Sequence, residues 1–525
     1  MNQRARIAIC LALIAVAATA AYLPIFSNSF AWDDEYLVLK NPAITRLSSI
    51  PGFFSGSWAE GVDYKLGREQ NRPYFRPMAL TSMAVDWAIA GPDRVVFHTT
   101  NLLIHIAAAF FLFLWLRSVF SRTPSGGDSD RTTLIAAFLG ALLWAVHPVS
   151  TEAVNLVSYR TSLISGMTVF ASLWLLTPGG SDAGSPRWTS ILGGTFMFAV
   201  GMLSKETTLV MPGLLFLMDL SARRLNLRRI LTVYPPLGLV GLLWLAARTQ
   251  FTGQGVYTWF EGLSLAQSVL MFGRIFYLYV RLVLLPWPLC PFYDWGIIGV
   301  PRSFFEPDIA AGFFLFAMIL FSAIFLFRRR PITASGLAFF LLGLLPVSHI
   351  IPFFDAAGER FLYVPLAGAI IAAAGAFLES PRRERLVRPA VIAAGVIALG
   401  FGALTFVRST QWESSETMLR VTTRDFPSSV SAHLGLARLL LEKHRPAEAL
   451  APLSQVTELA PRLAIGYALT AVAQARIGDI HAARSTLRRS PFPEARQPSA
   501  VELTRMELLK AGEIELAERI GLMSP

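Results

Sequence analysis

The chain has 525 residues, 54% of them apolar and only 15% charged, with a mean hydropathy of +0.51. That balance excludes an ordinary soluble protein and calls for lipid as the solvent of most of the length. The net charge of +11 sits largely in short arginine clusters between apolar runs (Arg223-Arg224, Arg228-Arg229, Arg328 to Arg330, Arg382-Arg383), the pattern of cytoplasmic loops, which argues against a nucleic-acid partner.

The first apolar run, about 7–26, is near spanning length and precedes no clean cleavage site, so it reads as a retained first helix. Cys10 lies inside it and Cys290 sits beside Pro291, so no disulfide framework is indicated. Directly after the run comes Phe30-Ala31-Trp32-Asp33-Asp34-Glu35-Tyr36. Ionised groups beside a bilayer cost free energy unless water, a partner or a task compensates them. Two adjacent carboxylates repel, which raises the pKa of one toward the range useful for proton exchange. The alternative is that an aspartate here caps a short helix starting near Glu35.

Further spans are expected at about 97–117, 133–147, 156–176, 189–203, 207–221, 230–247, 308–327, 332–350, 361–378 and 388–406. The stretch 266–290 is apolar enough to span, but crossing there would put Arg328 to Arg330 on the outer side. It therefore reads as a re-entrant or interface-lying segment, broken by Pro286, Pro288 and Pro291, with Arg274 and Arg281 in contact with protein, water or headgroups. This gives about eleven crossings, an inside N-terminus, an outside C-terminus and a first outer loop at 27–96.

Polar residues then gather at the outer ends of these runs. Arg76-Pro77 precedes the second span, and His98, Asn101 and His105 follow at helical spacing. His147-Pro148 leads to Thr151-Glu152, followed by Tyr159-Arg160; Ser204-Lys205-Glu206, Asp294-Trp295, His349 and Glu359-Arg360 complete the set. Such residues can simply tie helices together, the expected role for the histidines, because buried polar groups need partners whatever their task. A metal held by His147 and Glu152 lacks a third ligand, so none is indicated. No glycine-rich phosphate loop or nucleophile elbow is evident, which disfavours a nucleotide-driven pump or a serine hydrolase.

After about Thr405 the composition changes, and residues 430–463 and 464–497 align at a 34-residue period. His433 matches Tyr467, Ala437 matches Ala471, Ala449 matches Ala483 and Leu453 matches Leu487, with a partial third copy at Gly512 and Ala517. Small residues at these offsets let helix pairs pack closely, and the period is that of tetratricopeptide repeats. The expected fold is all-α: a multi-spanning membrane domain over 1–406 and an outer-side repeat solenoid over 407–525.

Taken together and in order, these strings resemble the transmembrane-and-tetratricopeptide-repeat O-mannosyltransferases: Trp32-Asp33-Asp34, Asn41-Pro42-Ala43-Ile44, Arg76-Pro77, His98 with Asn101 and His105, His147-Pro148, Thr151 to Val154, Ser204 to Thr207, Asp294-Trp295, and Glu359-Arg360 with Leu362-Tyr363. The layout is more distantly similar to the glycosyltransferase C superfamily. The resemblance implies a membrane glycosyltransferase with a catalytic acid in the first outer loop, a polyprenyl-phosphate-linked sugar donor and inversion at the anomeric carbon. Carried onto this chain, the acidic motif falls on Asp33 and Asp34, one of them the general base. Donor phosphate or acceptor binding is expected from Arg76, Arg160, Lys205, Glu206, Glu359, Arg360 and His147, since an anionic leaving group needs positive partners. A mannose-like sugar would pass to an acceptor hydroxyl, Ser or Thr of a polypeptide held through the repeats. The rivals are a same-fold transferase acting on a lipid or glycan, and a non-enzymatic membrane-anchored repeat scaffold. The Ala- and Arg-rich composition and the short repeat array look bacterial, which places the chain in an inner membrane with its repeats in the periplasm.

Overall fold

A computed structural model of the chain describes residues 2–56, 74–121, 129–178, 186–251, 263–349, 355–491 and 499–520. Among them every regular element is helical. Contacts divide the chain into two compact units, 1–289 with 301–414, and 290–300 with 415–525.

The first unit holds α1 (Gln3–Ala21), α2 (Pro77–Ala90), α3 (Arg94–Phe120), α4 (Ser129–Ala145), α5 (Arg160–Leu176), α6 (Trp188–Met202), α7 (Met211–Ser221), α8 (Leu227–Phe251), α9 (Leu265–Leu284), α10 (Pro307–Leu326), α11 (Pro331–Leu344), α12 (Pro365–Leu378) and α13 (Arg383–Thr410). Six described helices are long and apolar enough to cross a membrane: α1, α3, α8, α9, α10 and α13. Arg131–Ala145 and Pro148–Asn155, bent by 49°, make a seventh if taken as one broken span. The helices α6 and α12, and α11 with its extension to Val347, are apolar but shorter. The expected spans at 156–176 and 207–221 each begin in a tight turn, Val157–Tyr159 and Glu206–Val210, which shortens α5 and α7. Those turns deliver polar residues into the bundle.

Lipid as solvent explains the outer faces. Leu242 on α8, Ile324 on α10 and Leu399 on α13 are 67%, 69% and 77% exposed, apolar surface that water would not tolerate in such quantity. The interior is close-packed around α5, nearly all of whose side chains are buried, with its Phe170 meeting the rings of Trp115 and Trp144. Glycines let some backbones touch. A side chain at Gly336 of α11 would collide with Ala372 of α12, and one at Gly312 of α10 with Gly273 of α9.

Residues 265–284 form one continuous helix, and the proline-rich stretch begins only after it. Arg274, in the middle of α9, pairs with Glu306 and, at 2.8 Å, with Asp308 in the first turn of α10. Two carboxylates thus neutralise the charge that would be costly in lipid.

The second unit holds α14 (Ser415–Asp425), α15 (Val430–Glu442), α16 (Pro446–Leu459), α17 (Ala464–Arg476), α18 (Ile480–Arg488), α19 (Ala500–Lys510) and α20 (Ile514–Ile520). Successive helices pack on one another from α14 to α18, α19 packs back on α17, and α20 packs on α19. Ala437 and Ala471, and Ala449 and Ala483, equivalent at the 34-residue period, are all fully buried. The backbone repeats too: His444, Gly478 and Gly512 adopt φ values of 57°, 94° and 75° in the turns after α15, α17 and α19. A left-handed residue closes each of these helices, the usual helix-ending device.

Candidate active site

The first loop is fixed where it leaves α1. The Asn28 side chain donates to Asn155 Oδ1 at 2.9 Å and to the Ser409 carbonyl at 3.0 Å. Trp32 then takes φ 54°, a left-handed conformation costly for a bulky residue and often found where a site dictates geometry. Asp34 is fully buried, and its carboxylate accepts the backbone N–H groups of Val157 at 3.0 Å and Ser158 at 2.7 Å. A turn does begin at Glu35, but Asp34 makes no side-chain cap to it; the carboxylate caps the distant turn that opens α5 instead. Burial pushes its pKa up to about 6, against the pull of those N–H bonds, and the adjacent Asp33 charge adds to the rise. Asp33 is part-exposed. Its charge acts on Asp34 and on Tyr159.

A group of cations lies around the same turn. Arg360 pairs with Glu152 and, at 2.5 Å, with Asp355, while its backbone N–H donates to Glu152 at 2.7 Å. Its guanidinium lies 4.3 Å from the centroid of Tyr159, the ring that also feels Asp33. Arg76 grips Glu206 with two bonds, 2.7 Å from Nη2 and 3.3 Å from Nε. Lys205, 5% exposed, donates to Ser162 Oγ at 2.8 Å and sits 5.3 Å from the Phe361 ring centroid. Burial, with the charges of Arg76 and Arg360 nearby, pulls the Lys205 pKa down to about 7. Ser162, Ser165, Lys205, Arg360, Phe361 and Tyr363 line a narrow polar cavity there. Arginines already engaged with carboxylates can exchange a partner for an incoming anion, whereas Lys205 meets only a neutral hydroxyl in its described hydrogen bond.

The remaining expected residues have other occupations. Arg160 is fully buried and bonds to Asn101 Oδ1 (2.7 Å), Asp86 (2.6 Å), Ser82 (3.2 Å) and the Phe97 carbonyl (2.9 Å), binding α5 to α2 and α3. His147 accepts the Val149 N–H at Nδ1 (3.3 Å) and reaches the Val283 carbonyl from Nε2 (3.1 Å), so neither nitrogen faces the cavity. Glu359 is buried 3.7 Å from Arg408. His105 joins Tyr363 (2.8 Å) to the Ala145 carbonyl (2.9 Å), and Asn101 holds the carbonyls of Val154 and Leu156, which is helix-tying. Asp294 belongs to the second unit. Among the described residues no group of three or more His, Cys, Asp or Glu side chains could hold a metal ion.

Sequence reading missed Asp86, Asp355 and Arg408. A lone carboxylate within apolar α2 was the available signal for Asp86, since a buried charge implies a partner.

No family model matches the chain. It is 24% identical to the mouse protein O-mannosyl-transferase TMTC4 over 472 residues, which cover 80% of this chain and 62% of that protein. Mouse TMTC3 is 24% identical over 440 residues, 77% of this chain and 46% of that one. Human TMTC1 is 22% identical over 506 residues, 86% and 55% respectively. The chain thus spans less than two thirds of the length of these relatives. Among solved structures, ArnT from Cupriavidus metallidurans bound to undecaprenyl phosphate aligns over 99% of this chain and 90% of its own, at 14% identity and a TM-score of 0.39.

Proposed function

We propose that this chain, similar over four fifths of its length to protein O-mannosyl-transferases, is an integral membrane glycosyltransferase. It would move a mannose-like sugar from a polyprenyl-phosphate donor to a hydroxyl of a polypeptide on the outer side of the membrane. The observation that carries the reading is the division of labour around Tyr159. Asp34 and Arg160 are occupied by buried structural bonds, whereas Asp33 is part-exposed and its charge reaches Tyr159, the ring that Arg360 covers.

In this reaction Asp33 accepts the acceptor O–H proton while the new O–C1 bond forms. The C1–O bond to phosphate breaks on the opposite face of the sugar, so the anomeric configuration inverts. Negative charge grows on the leaving phosphate, and Lys205 and Arg360 neutralise it, with Arg76 behind them. Glu206 and Glu152 hold the two arginines in place until the anion arrives. His147 and Glu359 fix the loops that carry the site.

A lipid-linked donor also needs an apolar channel. A groove of about 590 Å³ runs between α9, α10 and α11, lined by Phe276, Tyr279, Phe316, Leu320, Leu342 and Leu345. Gly343 and Val347, on the same stretch of chain, line the polar cavity. A prenyl chain in the groove would set its phosphate near Arg360 and Lys205.

The remaining assignments follow from charge and periodicity. The membrane domain is 1–406, it sits in a bacterial inner membrane, and 407–525 is a periplasmic tetratricopeptide-repeat solenoid that holds the acceptor. The test is incubation of membranes overproducing the chain with radiolabelled polyprenyl-phosphate mannose. Label in a protease-sensitive product, absent from control membranes, is expected. Label confined to lipid or glycan would move the acceptor to the rival class.

A further inference from the structure

Asp294, expected among the polar residues at the outer ends of the apolar runs, lies in the second unit and is 5% exposed. Residues 290–300 leave the first unit after Leu289 and return to it at Pro301. Within this excursion the Asp294 side chain caps the turn Trp295–Ile298, accepting the Gly296 N–H at 3.0 Å through Oδ1. Its other oxygen accepts from Ser429 Oγ at 3.1 Å and from the Ser431 N–H at 2.7 Å. Ser429 is itself the N-cap of α15, donor and acceptor at once. The carboxylate therefore rests on the positive end of the first repeat helix and occupies a donor with no intrahelical partner. The fit is close enough to require glycine, because any side chain at Gly296 would collide with the Ser428 carbonyl. Beside it Cys290 is fully buried and Tyr293 nearly so.

We infer that residues 290–300 are the repeat unit's own partner segment, a strap whose Asp294 latches the N-terminal end of α15. The repeat unit is then not an appendage joined at Ser414–Ser415 alone: the chain enters it twice, at Cys290 and at Ser415, and its first repeat is completed by a segment from between α9 and α10. That end of the first repeat is filled by its own chain, so an acceptor or partner protein must use a different surface of the solenoid. This inference does not depend on the glycosyltransferase reading.

Hydrogen exchange of the full-length chain in detergent micelles tests it. Asp294→Ala should raise exchange across 430–442 about tenfold or more, the scale of a lost charge-assisted bond. Asp294→Asn, which keeps one acceptor oxygen, should fall between. Ser431→Pro removes the N–H while remaining compatible with a first helical turn, and should match Asp294→Ala without adding to it in the double variant. Gly296→Val should loosen the same helix with the carboxylate intact. Unchanged exchange over 430–442 in Asp294→Ala would overturn the inference. So would an equal rise in α11 and α12, because a latch acts on the repeat unit alone.

Discussion

The carboxylate of Asp34 reaches a turn 123 residues away in sequence and accepts two N–H bonds there, while Asp33, one peptide bond earlier, is part-exposed and its charge acts on Tyr159. Two pH predictions belong at this scale. The Asp34 pKa is raised to about 6 from an unfolded value of about 3.9. Between the two, the folded state binds more protons, so this group's contribution to stability falls as pH rises from about 4 to about 6 and is flat above. Thermal melts of the wild type and Asp34→Asn across that range should show the slope in the first and its loss in the second. Lys205, depressed to about 7, loses its positive charge progressively as pH rises through that value. The donor kcat/KM should therefore decline above about pH 7, and Lys205→Arg, charged throughout, should flatten the profile; an unaltered decline in Lys205→Arg would assign it to another group. The types of these residues were legible in the sequence but their partners were not. Arg160 and Arg360 both follow an aromatic or acidic neighbour at a span's end. Only the tertiary fold sends the first to Asp86 and Asn101 and leaves the second facing the polar cavity.

Among the elements, α5 joins scaffold to site. Its first residue, Arg160, ties it to α2 and α3, its Ser162 holds Lys205, and the turn before it takes the Asp34 carboxylate. Arg160→Ala strands the buried Asp86 carboxylate, a loss of about 3–5 kcal/mol by the precedent of broken buried pairs. Its melting temperature in detergent should fall steeply, and Asp33→Asn should leave it unchanged. In the second unit His444 occupies the left-handed position that Gly478 and Gly512 fill in later copies. His444→Gly should stabilise the repeats by about 0.5–1 kcal/mol, the scale of a left-handed residue's strain less glycine's entropy, read as slower hydrogen exchange over 430–459. The helices were readable because apolar runs and a 34-residue period are local signals. The tight turns at Val157–Tyr159 and Glu206–Val210 were not, since serines and threonines there resemble ordinary apolar-helix residues until the backbone bonds are seen.

For the whole molecule, the account needs the acidic loop, the cation cluster and the repeats on one side of the membrane. Charge distribution predicts that side to be opposite Arg328 to Arg330. A periplasm-active reporter fused after 525 should be active and one fused at Arg329 inactive; activity at Arg329 would break the arrangement. The eleven-run reading rests on hydropathy, which counts apolar residues and does not see bends. Among the described residues the structure instead offers six full-length helices, α9 among them although it lies outside those runs, with one bent pair and three shorter apolar helices.

The central claim is that Asp33 performs the proton transfer and Asp34 builds its support. The most direct measurement is the rate of sugar transfer by Asp33→Asn and Asp34→Asn side by side, each with its melting temperature. The account predicts a loss of about 10²–10⁴-fold in kcat for Asp33→Asn with an unchanged melt, and a lowered melt for Asp34→Asn with transfer falling no further than the folded fraction. Full transfer by a well-folded Asp33→Asn would contradict it.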